Sequence, residues 1–223
     1  MPRRLRVRAV LSGVTVALAF AAPAAVLAYL VRAESLVVVR ADDAAVRLGT
    51  HIARSNPPLR DALLVWQEAL QARWVNLAAG LLCLWVWRRH GLATRALWAA
   101  VTILVAWNLG LAVKFLVQRA RPVLDDALTG APGYSFPSGH ATNAAATGLV
   151  VVLLVWPLLG RRGRVVAPVA IGAVVLLTGV DRVMLGAHYP SDVVGGIALG
   201  VAMAGGSYLG YTRWDPAPTP GDD

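Results

Sequence analysis

Apolar residues run along the chain in six blocks that are almost free of charge, at about 9–31, 74–87, 96–118, 141–159, 165–185 and 193–211. A helix rises about 1.5 Å per residue and the bilayer core is about 30 Å thick, so blocks of this length predict membrane-spanning helices. The second block is short, and the pattern extends it back toward Gln71. The first follows Arg3, Arg4, Arg6 and Arg8 and ends among small residues such as Ala24, Ala25 and Ala28, the make-up of a cleavable signal peptide. Its uncharged run from Ala9 to Val31 is longer than a usual signal core and is read as a retained first span. The expected fold is all-α, a six-helix transmembrane bundle.

Between the first two blocks the pattern changes. Leu59, Leu63, Trp66 and Leu70 recur at helical spacing, with Arg60, Asp61, Gln67 and Glu68 on the other faces. This predicts an amphipathic outer helix that starts at Asn56-Pro57-Pro58. Such a helix either packs on the bundle or lies in the membrane interface, and packing is the commoner outcome. Residues 1–214 are expected to form a single integral-membrane domain, and the Pro-rich stretch within 215–223 a disordered tail. The chain shows no internal repeat and no Gly-rich nucleotide loop.

Composition agrees with a membrane protein, at 57% hydrophobic and 15% charged residues. The formal net charge of +9 raises the question of nucleic acid. The arginines, however, cluster between apolar blocks instead of lining one polar face, so no nucleic-acid partner is expected. The amino terminus and the short segments Arg88 to Arg95 and Gly160 to Arg164 are basic and fall on one side if every block crosses. By the positive-inside rule that side is the cytoplasm, which also takes both termini, and segments 32–73, 119–140 and 186–192 face outside. The long outer segment carries arginines too, but they alternate with Glu34, Asp42, Asp43, Asp61 and Glu68. Cys83 is the single cysteine, so no disulfide framework and no zinc cluster is expected.

Three polar clusters interrupt the apolar chain: Lys114 with Arg121-Pro122, then Pro137-Ser138-Gly139-His140, then Arg182 with His188 and Asp192. The six-span map places all three on the outer side. Charged groups at the edge of a membrane helix are costly unless paired or functional. Lys114, Arg121 and Arg182 offer positive charge and planar forks that suit phosphate oxygens. Ser138 and Gly139 precede an apolar helix, where a hydroxyl and free N–H groups meet an anion. No carboxylate cluster for a metal accompanies them, and fixed cations can carry the charge stabilisation of phosphoryl transfer. No metal and no cofactor is expected.

His188 lies four residues before Asp192, which can orient one ring nitrogen and leave the other free to attack phosphorus. His140 has no acid near it in sequence and suits a general acid for the leaving oxygen, and later a base for water. Any one of these histidines alone is more commonly structural, and a lone arginine here more commonly a snorkelling anchor. The weight lies in the joint pattern. His51 and His90 are read as solvated loop residues, and Asp125 and Asp126 as ordinary loop.

The same residues resemble the type 2 phosphatidic acid phosphatase superfamily, whose three-part signature is shared with vanadium-dependent haloperoxidases and bacterial acid phosphatases. Lys114 and Arg121-Pro122 match its first part, Pro137 to His140 its second, and Arg182, His188 and Asp192 its third. Asp181 stands where the family usually has serine, so it is expected to turn aside, paired with an arginine, without a catalytic role. The resemblance implies a phosphatase of lipid phosphates or diphosphates in the cell membrane that works through a phosphohistidine. Its partners are then the lipid substrate and the bilayer. A polyprenyl (undecaprenyl-type) diphosphate is the first expectation. Phosphatidylglycerol phosphate, phosphatidic acid, decaprenyl sugar phosphates and a lipid phosphotransferase compete with it. An anion transporter predicts charges at the bilayer midplane and a paired repeat, which the sequence lacks. A haloperoxidase fits poorly with a six-span body. The sequence carries no signal for an oligomeric state.

Overall fold

The computed structural model describes residues 3–124, 128–130 and 132–214. The proposed tail from Asp215 onward, and Asp125 and Asp126, lie outside the described residues. The chain folds into helices α1 (Arg3–Arg32), α2 (Leu36–Ser55), α3 (Pro57–Ala69), α4 (Ala72–His90), α5 (Ala93–Val117), α6 (Gly139–Val155), α7 (Gly163–Met184) and α8 (Pro190–Trp214), with a short 3-10 turn at Trp156–Leu158. No strand occurs among the described residues.

Five stretches are individually long and apolar enough to cross a membrane: Gly13–Arg32, Ala93–Val117, Gly139–Leu158, Gly163–Met184 and Pro190–Thr212. The sixth arises differently from the pattern's expectation. Helix α4 passes only together with α3, and the two meet at a bend of 49°. The amphipathic helix is thus continuous with the short second block across a bend.

Local chemistry explains the boundaries. Asn56 caps α3 by accepting from the Leu59 N–H, with Pro57 and Pro58 in the first turn. Gly91 ends α4 in the left-handed conformation, φ 70°. Ser138 caps α6, its hydroxyl accepting from the Ala141 N–H.

The sequence pattern predicts one helix in this segment, and the structure adds a second, α2. Asp42, Val46, Gly49, Thr50 and Ala53 form its buried face, and α2 packs on α7. The spacing is helical, but an aspartate, a glycine and a threonine among five positions hide it from a search for apolar stripes. Helix α3 also packs on α7, through the half-buried face of Leu59, Leu63, Trp66 and Leu70, and the Trp66 indole N–H donates to Thr178 Oγ1 at 3.2 Å.

Helix α8 is the central post, in contact with α1, α6, α5 and α7. Its approach to α6 is set by glycine. A Cβ at Gly196 would stand 2.8 Å from the Ser138 carbonyl oxygen, and one at Gly200 would stand 2.6 Å from that of Thr142. Association of apolar helices in a bilayer depends on such close packing. Here it sets the start of α6 against the start of α8, where the second and third polar clusters lie.

Candidate active site

The three clusters meet at one end of the bundle. Lys114, in the last turn of α5, donates from Nζ to the carbonyls of Tyr134 (2.9 Å) and Ser135 (3.3 Å), in the loop before α6. The adjoining helix start is close, since a Cβ at Gly139 would lie 3.7 Å from Lys114 Cε. The Ser138 N–H donates to the Asp192 carbonyl at 3.0 Å, joining α6 to α8. Gly186, at φ 70°, turns the chain out of α7, and a Cβ there would meet Leu124 at 2.5 Å. That turn carries His188 inward to 3% exposure.

His188 has a different neighbour on each ring nitrogen. Arg121 Nη1 lies 3.2 Å from Nε2, and because a guanidinium can only donate, Nε2 carries the lone pair. The proton then resides on Nδ1, which faces Ser135 Oγ at 3.4 Å and Asp192 Oδ2 at 3.5 Å. Asp192, with no exposed surface, is held more tightly by others: Arg119 Nη1 at 2.6 Å, the Tyr189 N–H at 2.9 Å and the Ser135 hydroxyl at 2.5 Å. Asp192 therefore backs His188 partly through Ser135. Burial pushes the His188 imidazole down to about 4, with Asp192 opposing and Arg121 and Lys114 adding to the depression. It is neutral at physiological pH.

Arg121 also donates to the carbonyls of Ala187 (2.7 Å), Gly133 (3.0 Å) and Pro132 (3.2 Å), which fixes its guanidinium beside Nε2 of the imidazole. His140 sits in the first turn of α6, with Arg182, His188 and Arg121 near enough to act on its charge, and its Nε2 has no hydrogen-bond partner. Arg182 is placed less openly than its assignment to phosphate suggests. At 3% exposure it donates from Nε (2.8 Å) and Nη2 (2.6 Å) to Asp181, and from Nη2 to Gln67 Oε1 (2.7 Å). Asp181 thus pairs with its neighbouring arginine, as its departure from the serine pattern led one to expect.

Several participants escaped the sequence reading. Arg119 bridges two buried carboxylates, bonding Asp42 Oδ2 at 2.7 Å as well as Asp192. Asp42 in turn accepts from the Ser191 N–H at 3.0 Å. Ser135, Gln67 and Asn143 are the others. The two remaining histidines are also not loop residues. His51 is an exposed position on α2, and exposed His90 ends α4 with its ring edge-on to Trp85 at 4.7 Å.

The PAP2 superfamily pattern matches residues 95–215. Phosphatidylglycerophosphatase B of Bacillus subtilis is 32% identical over 116 residues, covering 49% of this chain and 56% of that protein. Decaprenylphosphoryl-5-phosphoribose phosphatase of Mycobacterium tuberculosis is 35% identical over 102 residues, covering 44% and 51%. Lipid A 1-phosphatase of Rhizobium etli is 46% identical over 66 residues, covering 30% and 25%. The chain thus spans about half the length of the first two relatives. A crystal structure described as the first transmembrane PAP2 type phosphatidylglycerolphosphate phosphatase, from Bacillus subtilis, superposes with a TM-score of 0.71. That likeness covers 88% of this chain and 94% of the other at 24% identity, and it bears on the fold.

Proposed function

Since this chain belongs to the PAP2 superfamily and is a multi-pass membrane protein, we propose that it hydrolyses lipid phosphates through a phosphohistidine at His188. The observation that carries this reading is the His188 imidazole, neutral, with its lone pair at Nε2 under the Arg121 fork and its proton turned toward Ser135 and Asp192. That is the tautomer a nitrogen nucleophile needs, and Arg121 passes from Nε2 to a phosphoryl oxygen as the substrate enters. The similarity to named lipid phosphatases supports the same class.

In the proposed reaction, Nε2 attacks phosphorus. A P–N bond forms, the ester P–O bond breaks, and His140, protonated when the phosphate dianion binds beside it, gives that proton to the leaving oxygen. Water then loses a proton to His140 and attacks phosphorus, the P–N bond breaks, and phosphate leaves. Lys114, Arg121, the Ser138 hydroxyl and the N–H groups from Gly139 onward take the phosphoryl oxygens as charge builds up. No step calls for a metal. The short basic segments at 88–95 and 160–164 support an outward-facing site.

The expectation of a polyprenyl diphosphate rested on three cations meeting its extra charge. The charge of Arg182 is offset by Asp181, whereas Lys114 and Arg121 bond neutral groups and keep theirs uncompensated, so two cations serve that purpose and a lipid phosphate monoester fits at least as well.

The test is phosphate release by the purified protein in detergent against a panel of lipid phosphates, with rapid acid-free quenching of a labelled substrate. The wild type is expected to turn over with chelator present and to accumulate label on histidine. His188→Ala is expected to lose at least about a thousandfold in kcat and all of the label. Near-normal turnover by His188→Ala, or a rate that vanishes with chelator and returns with magnesium, would overturn the proposal.

A further inference from the structure

In the proposed reaction the leaving group departs on the His140 side of phosphorus, so the surroundings of His140 decide what it can be. A cavity of about 250 Å³ opens there between the start of α4, the outer half of α5 and the first turns of α6. Ala106, Gly110 and Leu111 form its apolar wall, and Asn143 reaches it from α6.

Asn143 stands three residues beyond His140, a spacing that places the two side chains as neighbours on one helix face. It is 6% exposed, and its Nδ2 has no hydrogen-bond partner among the described residues. Buried donors of this kind are rare in folded proteins, and each calls for an acceptor. Among the other polar side chains lining the cavity, His140 is committed to the scissile oxygen in the proposed reaction, Trp107 is partly exposed, and four are engaged. Gln71 Nε2 and Arg73 Nη2 donate to Glu68 at the α3–α4 bend, Lys114 is bound to two carbonyls, and the Thr142 hydroxyl donates to the Ser138 carbonyl.

We propose that this cavity is the leaving-group subsite and that Asn143 donates to a neutral oxygen on the leaving alcohol, a few bonds beyond the scissile ester oxygen. The inference rests on the phosphatase reading. It selects lipid phosphates whose alcohol is oxygenated next to the ester, of glycerol or sugar type, over those of plain alkyl or isoprenyl alcohols. One turn apart on one face of α6, His140 and Asn143 can address two oxygens of the same leaving alcohol. A diphosphate fits this cavity less well. Its leaving group is an anion, whereas the waiting donor is a neutral amide; of the two cations at the cavity, Arg73 is paired with Glu68 and Lys114 is assigned to the transferred phosphoryl group.

The experiment compares kcat/KM for a diacylglycerol phosphate, an n-alkyl phosphate of matched chain length and an isoprenyl diphosphate, at equal surface concentration in detergent micelles. The full-length wild type is expected to favour the glycerolipid about tenfold over both others. Asn143→Leu is expected to bring the glycerolipid-to-alkyl ratio to about one. Asn143→Asp, nearly the same shape but without the donor, serves if the leucine variant fails to fold, and its ratio is expected to fall likewise. A wild type that shows no preference, or that favours the isoprenyl diphosphate, overturns the inference while leaving the phosphatase reading intact. So does an equal loss on both monoesters in the variants, which marks Asn143 as structural. A wild type inactive on every lipid phosphate overturns the phosphatase reading and this inference with it.

Discussion

His188 is depressed to about 4 chiefly by burial, so it stays neutral from neutral pH down to that value and loses its lone pair only as pH falls through it. Arg121 adds to the depression. Arg121→Gln is therefore expected to move the acid limb of the rate profile upward, alongside its loss of rate. Profiles of both proteins on one substrate check this, because the substrate's own ionisation is common to the two and cancels. An unchanged limb would show that Arg121 does not act on His188. At this scale the sequence was informative wherever neighbours in the chain are neighbours in space. Ser138, Gly139 and His140 are consecutive, and His188 and Asp192 are one helical turn apart. Ser191 and Asp42, 149 positions apart, bond only because α2 is folded onto the bundle. No local pattern announces that pair. Ser135, two residues from the Pro-Ser-Gly-His run, was in plain view, but nothing in the sequence says that its hydroxyl turns toward Asp192.

At the level of elements, α2 is a structural brace that reaches the candidate site through Asp42 and packs Thr50 near the Gly186 turn. Arg119 is 11% exposed at its side chain and holds both Asp42 and Asp192. Removing it leaves two carboxylates buried without their cation, a change that typically costs about 3–5 kcal/mol. Arg119→Ala is expected to lower thermal stability strongly and turnover with it. Asp42→Asn keeps the shape, removes one charge, and is expected to cost less. Thermal unfolding of the two single variants and the double variant measures the coupling, and strictly additive losses would show that the pair does not act as one unit. The spans were legible from hydropathy because long uncharged runs have few other uses. The second span was the exception. Helix α4 is long and apolar enough only when joined to α3 across the 49° bend, and a bend between two ordinary helical patterns leaves no mark beyond Leu70-Gln71.

For the whole molecule, the active end and the basic segments lie at opposite ends of the spans, which ties the proposed chemistry to one face of the membrane. Cysteines introduced at His90 and Arg162, in a Cys83→Ser background, are expected to be shielded from an impermeant reagent on intact cells. One introduced at Leu128 is expected to react. The opposite labelling pattern would move the site to the cytoplasm and to inner-leaflet lipids. The contact between α6 and α8 has its own consequence for how this protein tolerates change. With 2.8 Å and 2.6 Å of clearance for a Cβ, Gly196 and Gly200 act as the spacer of a caliper whose jaws are Ser138 and Asp192. The smallest added side chain opens the jaws. A saturation survey scored by activity alone would therefore rank two residues without a functional group beside the histidines, for a reason of gauge rather than of chemistry.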